Sequence, residues 1–134
     1  MTVSISNVIE IVRTAIASCT DTNVALGAPV ESKPGLYLYA YRLSETPFLR
    51  NTEATNNQSY SLHCLLLPHP PNNYGVLDDG LRCLKEQPIL DADEEAVMIT
   101  VSSLTTEELT QIFRSAAVAH RLAIPFELKW TVSR

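Results

Sequence analysis

The clearest pattern of apolar and polar positions lies in the last thirty residues of the chain. Thr105 precedes Glu108 by three residues, the spacing of a capping box in which each side chain accepts a hydrogen bond from the other residue's backbone N–H. Apolar residues then recur on one helix face, at Leu109, Ile112, Phe113 and Ala116. The pattern predicts an amphipathic helix that is capped by Thr105 and runs to Ala116. Its solvent face carries Glu107, Gln111 and Arg114.

A segment of regular alternation follows this helix. Every second residue is apolar, at Ile124, Phe126, Leu128, Trp130 and Val132, and most residues between them are polar. This period predicts a half-buried strand with Trp130 on its buried face. Neither the helix nor the strand contains a recognisable catalytic motif. The pattern therefore favours a protein whose function depends on its shape and surface.

The rest of the chain predicts a series of helices, strands and loops. They are a helix from about Ser6 to Cys19, a short irregular edge strand from Val24 to Val30, a strand from Gly35 to Leu43, an exposed loop from Ser44 to Ser59, a strand from Tyr60 to Leu67, a helix from about Tyr74 to Glu86, an acidic loop from Asp91 to Glu95 and a strand from Val97 to Val101. This order predicts an α+β fold. We expect a single domain over residues 1–134, with one mixed or antiparallel sheet of about four to five strands and about three helices.

The strand from Gly35 to Leu43 carries a row of tyrosines. Strict alternation puts Leu36, Leu38 and Ala40 on one face and Tyr37, Tyr39, Tyr41 and Leu43 on the other. The tyrosines could stack on a single-stranded nucleic acid, but the acidic balance of the chain argues against this. Packing in the core or at an interface is the preferred interpretation.

Composition and charge narrow the possible partners. The chain has 134 residues, is 46% hydrophobic and has a formal net charge of -5. An acidic domain without a basic stripe is not expected to bind nucleic acid or an anionic membrane surface. The sequence has no run of eighteen apolar residues and no signal-peptide pattern at its start, so we expect a cytoplasmic protein that does not insert into a membrane.

Three cysteines are spread along the chain, at Cys19, Cys64 and Cys83. Their number is odd, and each lies within an apolar pattern. These features predict reduced thiols in the core rather than a disulfide framework.

Candidate sites for chemistry are weak. His63, Cys64 and His69 are possible metal ligands, but His63 and Cys64 are neighbours on a strand and point to opposite faces. The acidic stretch from Asp91 to Glu95 lacks the turn glycine and ligand spacing of a calcium loop. The sequence has no nucleophile elbow and no glycine-rich phosphate loop. We therefore expect no catalytic residues, no metal and no cofactor.

Several ordered pieces resemble one known family. The strand from Leu36 to Tyr41 leads into Glu45 and then Arg50-Asn51, and Tyr60 to Leu66 resembles the family's next strand. Further pieces are the helix Leu77 to Leu84 with Pro88-Ile89-Leu90, the capped start Leu104 to Leu109 with Ile112-Phe113, and Arg121-Leu122 with the strand to Trp130. In order and spacing they resemble the tail-terminator, or tube-cap, proteins of phage-tail-like contractile injection systems.

The resemblance implies a non-enzymatic structural cap. Such a protein would form a six-fold ring at the distal end of the inner tube and sheath, stop their polymerisation and join the two. Its partners would be the inner-tube protein, the sheath protein and further copies of itself, and it would be incorporated from the cytoplasm into the particle. Some relatives carry a long additional C-terminal region, and the resemblance leaves open whether this chain is the short member of a pair of caps.

The resemblance and the helix pattern together select candidate interface residues. They are Glu45, Arg50, Asn51, Glu107, Gln111 and Arg114. Arg50 could pair bidentately with a carboxylate of a partner or an adjacent subunit, or it could pair with Glu45 and shape the loop. Two other functions remain open. One is a stand-alone adaptor or assembly chaperone for one protein partner, and the other, more remote, is a small hydrolase that uses His63 or His120.

Overall fold

The computed structural model describes residues 4–29, 33–47, 57–92 and 95–133. The described residues form three helices and six strands. In chain order they are α1 (Ile5–Thr20), β1 (Val24–Leu26), β2 (Gly35–Pro47), β3 (Asn57–His69), α2 (Tyr74–Glu86), β4 (Ile89–Ala92), β5 (Glu95–Val101), α3 (Thr106–Ala116) and β6 (Ile124–Ser133).

The six strands form one mixed sheet with the order β1-β2-β3-β6-β5-β4. β1 runs parallel to β2 at one edge, and the other neighbouring pairs are antiparallel. The α+β class and the mixed sheet are confirmed. The strand count exceeds the predicted four to five by β4, whose last two residues, Asp91 and Ala92, fall within the predicted acidic loop.

Helices cover both faces of the sheet. α1 and α2 pack on one face, where the larger hydrophobic cluster joins Val8 and Leu84 of these helices to Phe126 and Trp130 of β6. α3 packs on the other face, where Phe113 belongs to a smaller cluster built on strand residues. We call these the α1/α2 face and the α3 face. The alternation of β6 is confirmed, since Ile124, Phe126, Leu128 and Trp130 are all buried.

A glycine lets α2 lie close to the sheet. A Cβ atom at Gly80 would come within 2.6 Å of Leu66 Cδ2 on β3. A larger residue would require the Leu66 side chain to move within a close-packed interior. Gly80 therefore allows α2 to lie directly against Leu66 and Leu36.

The prediction of three reduced cysteines was wrong. Cys19 and Cys83 form a disulfide, with their Cα atoms 6.0 Å apart, and Cys64 is the free, buried cysteine. The physical reason is the contact between the two helices: each cysteine lies on the inner side of its helix, and the packing of α1 against α2 brings the sulfur atoms together. The two cysteines are 64 residues apart, so no local sequence pattern indicates that they pair.

The boundaries of several elements differ from the prediction. α1 begins at Ile5, slightly before the predicted start near Ser6, because Ser4 caps it and its hydroxyl accepts a hydrogen bond from the Asn7 backbone N–H at 3.1 Å. β1 ends at Leu26, earlier than predicted, although its edge position is confirmed. The two ends of the predicted loop from Ser44 to Ser59 are strand, because β2 continues to Pro47 and β3 begins at Asn57. Residues 48–56 between them lie outside the described part of the chain.

A β-bulge interrupts the pairing of β2 with β3. Ala40 pairs with Cys64 and Arg42 with His63, so Tyr41 is an extra residue. Beyond the bulge the alternation is reversed, and Leu43 lies opposite the buried Leu62. The prediction that Leu43 shares a face with the tyrosines was therefore wrong, because strict alternation does not allow for an inserted residue.

The acidic segment from Asp91 to Glu95 was wrongly predicted to be a loop. Asp91 and Ala92 belong to β4, and Glu95 begins β5. The two strands pair antiparallel, with Asp91 opposite Ala96. Residues 93–94 between them lie outside the described part of the chain. Backbone pairing with β5 thus extends the strand from Ile89 and Leu90 into Asp91 and Ala92, two residues that do not favour strands.

Candidate interaction surfaces

The solvent face of α3 is the first candidate surface. The predicted capping box is confirmed, since Thr105 Oγ1 accepts from the Glu108 N–H at 3.1 Å and Glu108 Oε1 accepts from the Thr105 N–H at 2.9 Å. Phe113 is buried against the sheet. The opposite side of the helix leaves Glu107, Gln111 and Arg114 exposed. α3 thus presents an acidic, an amide and a basic side chain to solvent, on a helix whose start is stabilised by a capping box.

Glu45 lies on a second, separate surface. It is exposed on β2 and pairs with Tyr60, which packs against the cluster on the α1/α2 face. Arg50 and Asn51 lie outside the described residues, so the two pairings considered for Arg50 stay predictions. The structure places Glu45 and the α3 residues on opposite faces of the sheet, so these candidates do not form one continuous site.

Long strands leave open sheet edges. β1 covers β2 only from Leu36 to Leu38, and β5 pairs with β6 only up to Lys129. Within the described ranges, the rest of β2 and the end of β6 therefore have no strand on their outer sides. Open edges can pair with another chain. The bulge at Tyr41 and the proline at Pro47 limit such pairing along β2.

A groove lies between α3 and the sheet, and sequence reasoning missed it. Its volume is about 490 Å³. The sheet contributes Tyr39, Tyr41 and Glu127, and the helix contributes Glu108 and the candidate residue Gln111. The tyrosine row was the available signal. Tyr37 is buried in the cluster beneath α3, as predicted for core packing, whereas Tyr39 and Tyr41 are partly exposed to the groove.

An apolar surface lies near the start of α2. Tyr74 and Leu122 are 59% and 62% exposed, far more than is usual for the apolar residues of this chain. They border a groove of about 510 Å³ that is also lined by Leu77, Leu81 and Ile124. This surface was also missed, because Leu122 follows a loop and belongs to no periodic segment.

Arg121, which the resemblance selected, is buried and holds two segments together. Its guanidinium donates to the carbonyl oxygens of Pro68 at 3.0 Å and Ala119 at 3.1 Å, and it lies 3.4 Å from His69 Nδ1. Burial lowers the pKa of the Arg121 guanidinium. These contacts connect the end of β3 to the segment before β6, so the residue has a structural role.

The histidines and cysteines do not converge on one point. Cys64 is fully buried on the α1/α2 face, whereas His63 lies on the α3 face with its Nε2 atom 3.9 Å from Glu127 Oε2. His120 makes an edge contact with the Phe113 ring, at a centroid distance of 5.2 Å. In the described ranges, no group of three or more His, Cys, Asp or Glu residues is arranged to hold a metal ion.

The described helices were also assessed as membrane spans. None of them combines the length and the hydrophobicity that crossing a bilayer requires.

Two solved structures of tube terminators have a similar fold. The structure is similar to the PVC sheath/tube terminator of an extracellular contractile injection system in its extended state, with a TM-score of 0.73 and 15% identity over 100% of this chain. It is also similar to the tube-terminating cap of the anti-feeding prophage, with a TM-score of 0.70 and 14% identity over 98% of the chain. The predicted resemblance is thus confirmed at the level of the fold.

The chain spans little more than half the length of these two proteins, 58% and 55% respectively. No protein-family model matches the sequence, and no curated protein matches it either.

Proposed function

We propose that this protein is a structural terminator cap that ends the inner tube and sheath of a contractile injection system. The observation that carries the proposal is the match of the whole chain to two terminators of such systems, at TM-scores of 0.73 and 0.70. The first match covers 100% of this chain and the second 98%. Coverage of this extent supports a closer likeness than a shared layer arrangement, which many unrelated proteins have.

The cap would act as a ring of identical subunits, six-fold by the family resemblance. A closed ring requires head-to-tail contacts between two different surfaces of each subunit. Glu45 on the α1/α2 face and the exposed residues of α3 on the opposite face are two such surfaces. The open edges of β2 and β6 are a further pair, since they lie on opposite sides of the same sheet.

The inner-tube and sheath proteins are the proposed partners, and assembly would take place in the cytoplasm. The disulfide between Cys19 and Cys83 bears on this second point. Disulfides form in oxidising surroundings and are rare in the cytosol. We therefore infer that the cap is assembled with reduced thiols and that the Cys19–Cys83 bond forms after the particle has left the reducing compartment.

Deletion of the chain tests the proposed function. The tube and sheath proteins should still be expressed, but the particles should have unregulated or frayed distal ends when imaged by electron microscopy. The readout is the distribution of particle lengths and the shape of the end. Uniformly ended particles of normal length in the deletion strain would contradict the cap function and favour the adaptor.

A variant separates folding from assembly. Arg50→Ala should leave the melting temperature of the isolated protein nearly unchanged and abolish its incorporation into particles, measured by mass spectrometry of purified particles. Lys85→Ala is the matched control, because Lys85 is an exposed cation on α2. Undiminished incorporation of the Arg50 variant would remove that residue from the interface and direct attention to Glu107, Gln111 and Arg114.

A further inference from the structure

Aromatic rings and carboxylates line the same groove between α3 and the sheet. Tyr39 and Tyr41 line it from β2, Glu127 from β6 and Glu108 from α3. The volume of about 490 Å³ is in the range of ligand sites. It is larger than one side chain, so the groove has room for a side chain together with the backbone on either side of it.

Glu127 is the most available acceptor in the groove. Its side chain is 21% exposed, and its Oε2 atom lies 3.9 Å from His63 Nε2, which is too far for a hydrogen bond. Across the described ranges, no hydrogen bond reaches this carboxylate. Glu108 is different, because its Oε1 atom already accepts from the Thr105 backbone. A partly buried carboxylate without a donor is stabilised when a cation enters beside it.

The charged residues that line the groove also favour a cation. The pKa of the Tyr41 hydroxyl is raised, first by burial and then by Cys64, Glu108 and Glu127. Arg42, which also lines the groove, lowers the same pKa, but its side chain is exposed. The groove thus has two carboxylates against one exposed cation, and the tyrosine rings that line it offer faces on which a cation can rest.

We propose that this groove binds an arginine or lysine side chain presented by an extended segment of a basic partner protein. The planar guanidinium of arginine fits best, because it can donate to Glu127 and lie against a tyrosine ring at the same time. A second copy of this chain is a poorer occupant, since each copy carries a net charge of -5. The inference goes beyond the proposed function, because it specifies the chemistry of the bound segment and does not depend on a ring.

Titration with two matched peptides tests this proposal. The probes are acetyl-Gly-Arg-Gly-amide and its citrulline analogue, which has nearly the same shape without the charge. Binding is followed by two-dimensional NMR of the backbone amides of the full chain. The arginine peptide should shift resonances of groove residues with a Kd on the order of a millimolar, and the citrulline peptide should bind about tenfold more weakly.

Two charge-neutral variants identify the acceptor. Glu127→Gln should weaken binding of the arginine peptide about tenfold, to the affinity of the citrulline peptide. Glu86→Gln is the matched control and should leave binding unchanged, because Glu86 is an exposed carboxylate of α2, on the other side of the sheet. Added salt should weaken binding of the charged arginine peptide and leave binding of the citrulline peptide unchanged. Melting curves of both variants check that they are folded.

Three results would overturn the proposal. They are equal affinities for the two peptides, undiminished binding by a folded Glu127→Gln variant, and shifts that map outside the groove. A lower sedimentation mass of Glu127→Gln than of the unmodified chain would show that a second copy occupies the groove, which would also contradict a basic partner. None of these results depends on particle assembly, so each can be distinguished from failure of the cap function.

Discussion

Trp130 offers the sharpest test of the packing on the α1/α2 face. It is 3% exposed and stacks on Tyr60, with the ring centroids 5.7 Å apart and the ring planes inclined by 30°. Its indole Nε1–H is buried, and no acceptor in the described residues lies within hydrogen-bond distance. The side chain thus contributes a large apolar contact and also carries an unsatisfied donor.

The two effects have opposite signs. Truncating a buried tryptophan to alanine typically costs about 3–5 kcal/mol, and a buried unsatisfied donor costs about 1–3 kcal/mol. Trp130→Ala removes both, so we expect a loss near the lower end, about 3 kcal/mol. At about 4 °C per kcal/mol for a chain of this size, the melting temperature should fall by roughly 12 °C. Trp130→Phe keeps a ring and removes the donor, so it should lie within about 1 kcal/mol of the unmodified protein.

The assay is thermal and denaturant unfolding of the isolated chain. Lys129→Ala is the matched control, because Lys129 is the exposed neighbour on the other face of β6 and surface substitutions usually change stability by less than about 0.5 kcal/mol. A Trp130→Ala curve that overlays the unmodified protein would show that the strand register is wrong. If Trp130→Ala and Trp130→Phe lowered the free energy of unfolding equally, removing the indole N–H would bring no gain in stability. That result would mean that the Trp130 N–H is not an unsatisfied donor.

Two further predictions concern the cysteines. Replacing Cys19 and Cys83 with serine should lower the free energy of unfolding by about 4 kcal/mol, because the bond removes the loop-closure entropy of a link across 64 residues. Reductant should lower the melting temperature of the unmodified chain to a similar extent. A melting temperature that does not respond to reductant would mean that the bond does not form. Burial raises the pKa of the Cys64 thiol from its ordinary 9.0 to about 12. The folded chain therefore holds this proton after the unfolded chain has released it, so stability should fall as pH rises from 9 toward 12, and Cys64→Ala should flatten that slope.

The helices could be predicted from local signals. The bounds of α2, Tyr74 to Glu86, agree with the prediction because Asn73 caps its start and Pro88 lies just beyond its end. The capping box of Thr105 with Glu108 likewise involves residues only three apart. Such signals lie within one turn of the chain, so the sequence alone reveals them.

The features that the sequence did not reveal depend on contacts between distant segments. β4 is a strand because β5 is available to pair with it, although the residues from Asp91 onward are polar. The Cys19–Cys83 bond requires the packing of two helices that are far apart in the chain. The groove beside Tyr41 likewise exists only once α3 lies across the sheet, so periodicity could indicate its tyrosines but not their shared cavity.

The extra residue in β2 changes which face of the sheet each side chain in the outer half of the strand lies on. Up to Ala40, even-numbered side chains lie on the α1/α2 face, but beyond Tyr41 that face receives Leu43 and Glu45. If the bulge were lost and Tyr41 paired with His63 instead, the register of the outer half would shift by one residue, and Leu43 and Glu45 would move to the α3 face while Arg42 moved to the α1/α2 face. The bulge at Tyr41 therefore determines which side chains each face carries in the outer half of β2, although the sequence of that half stays the same.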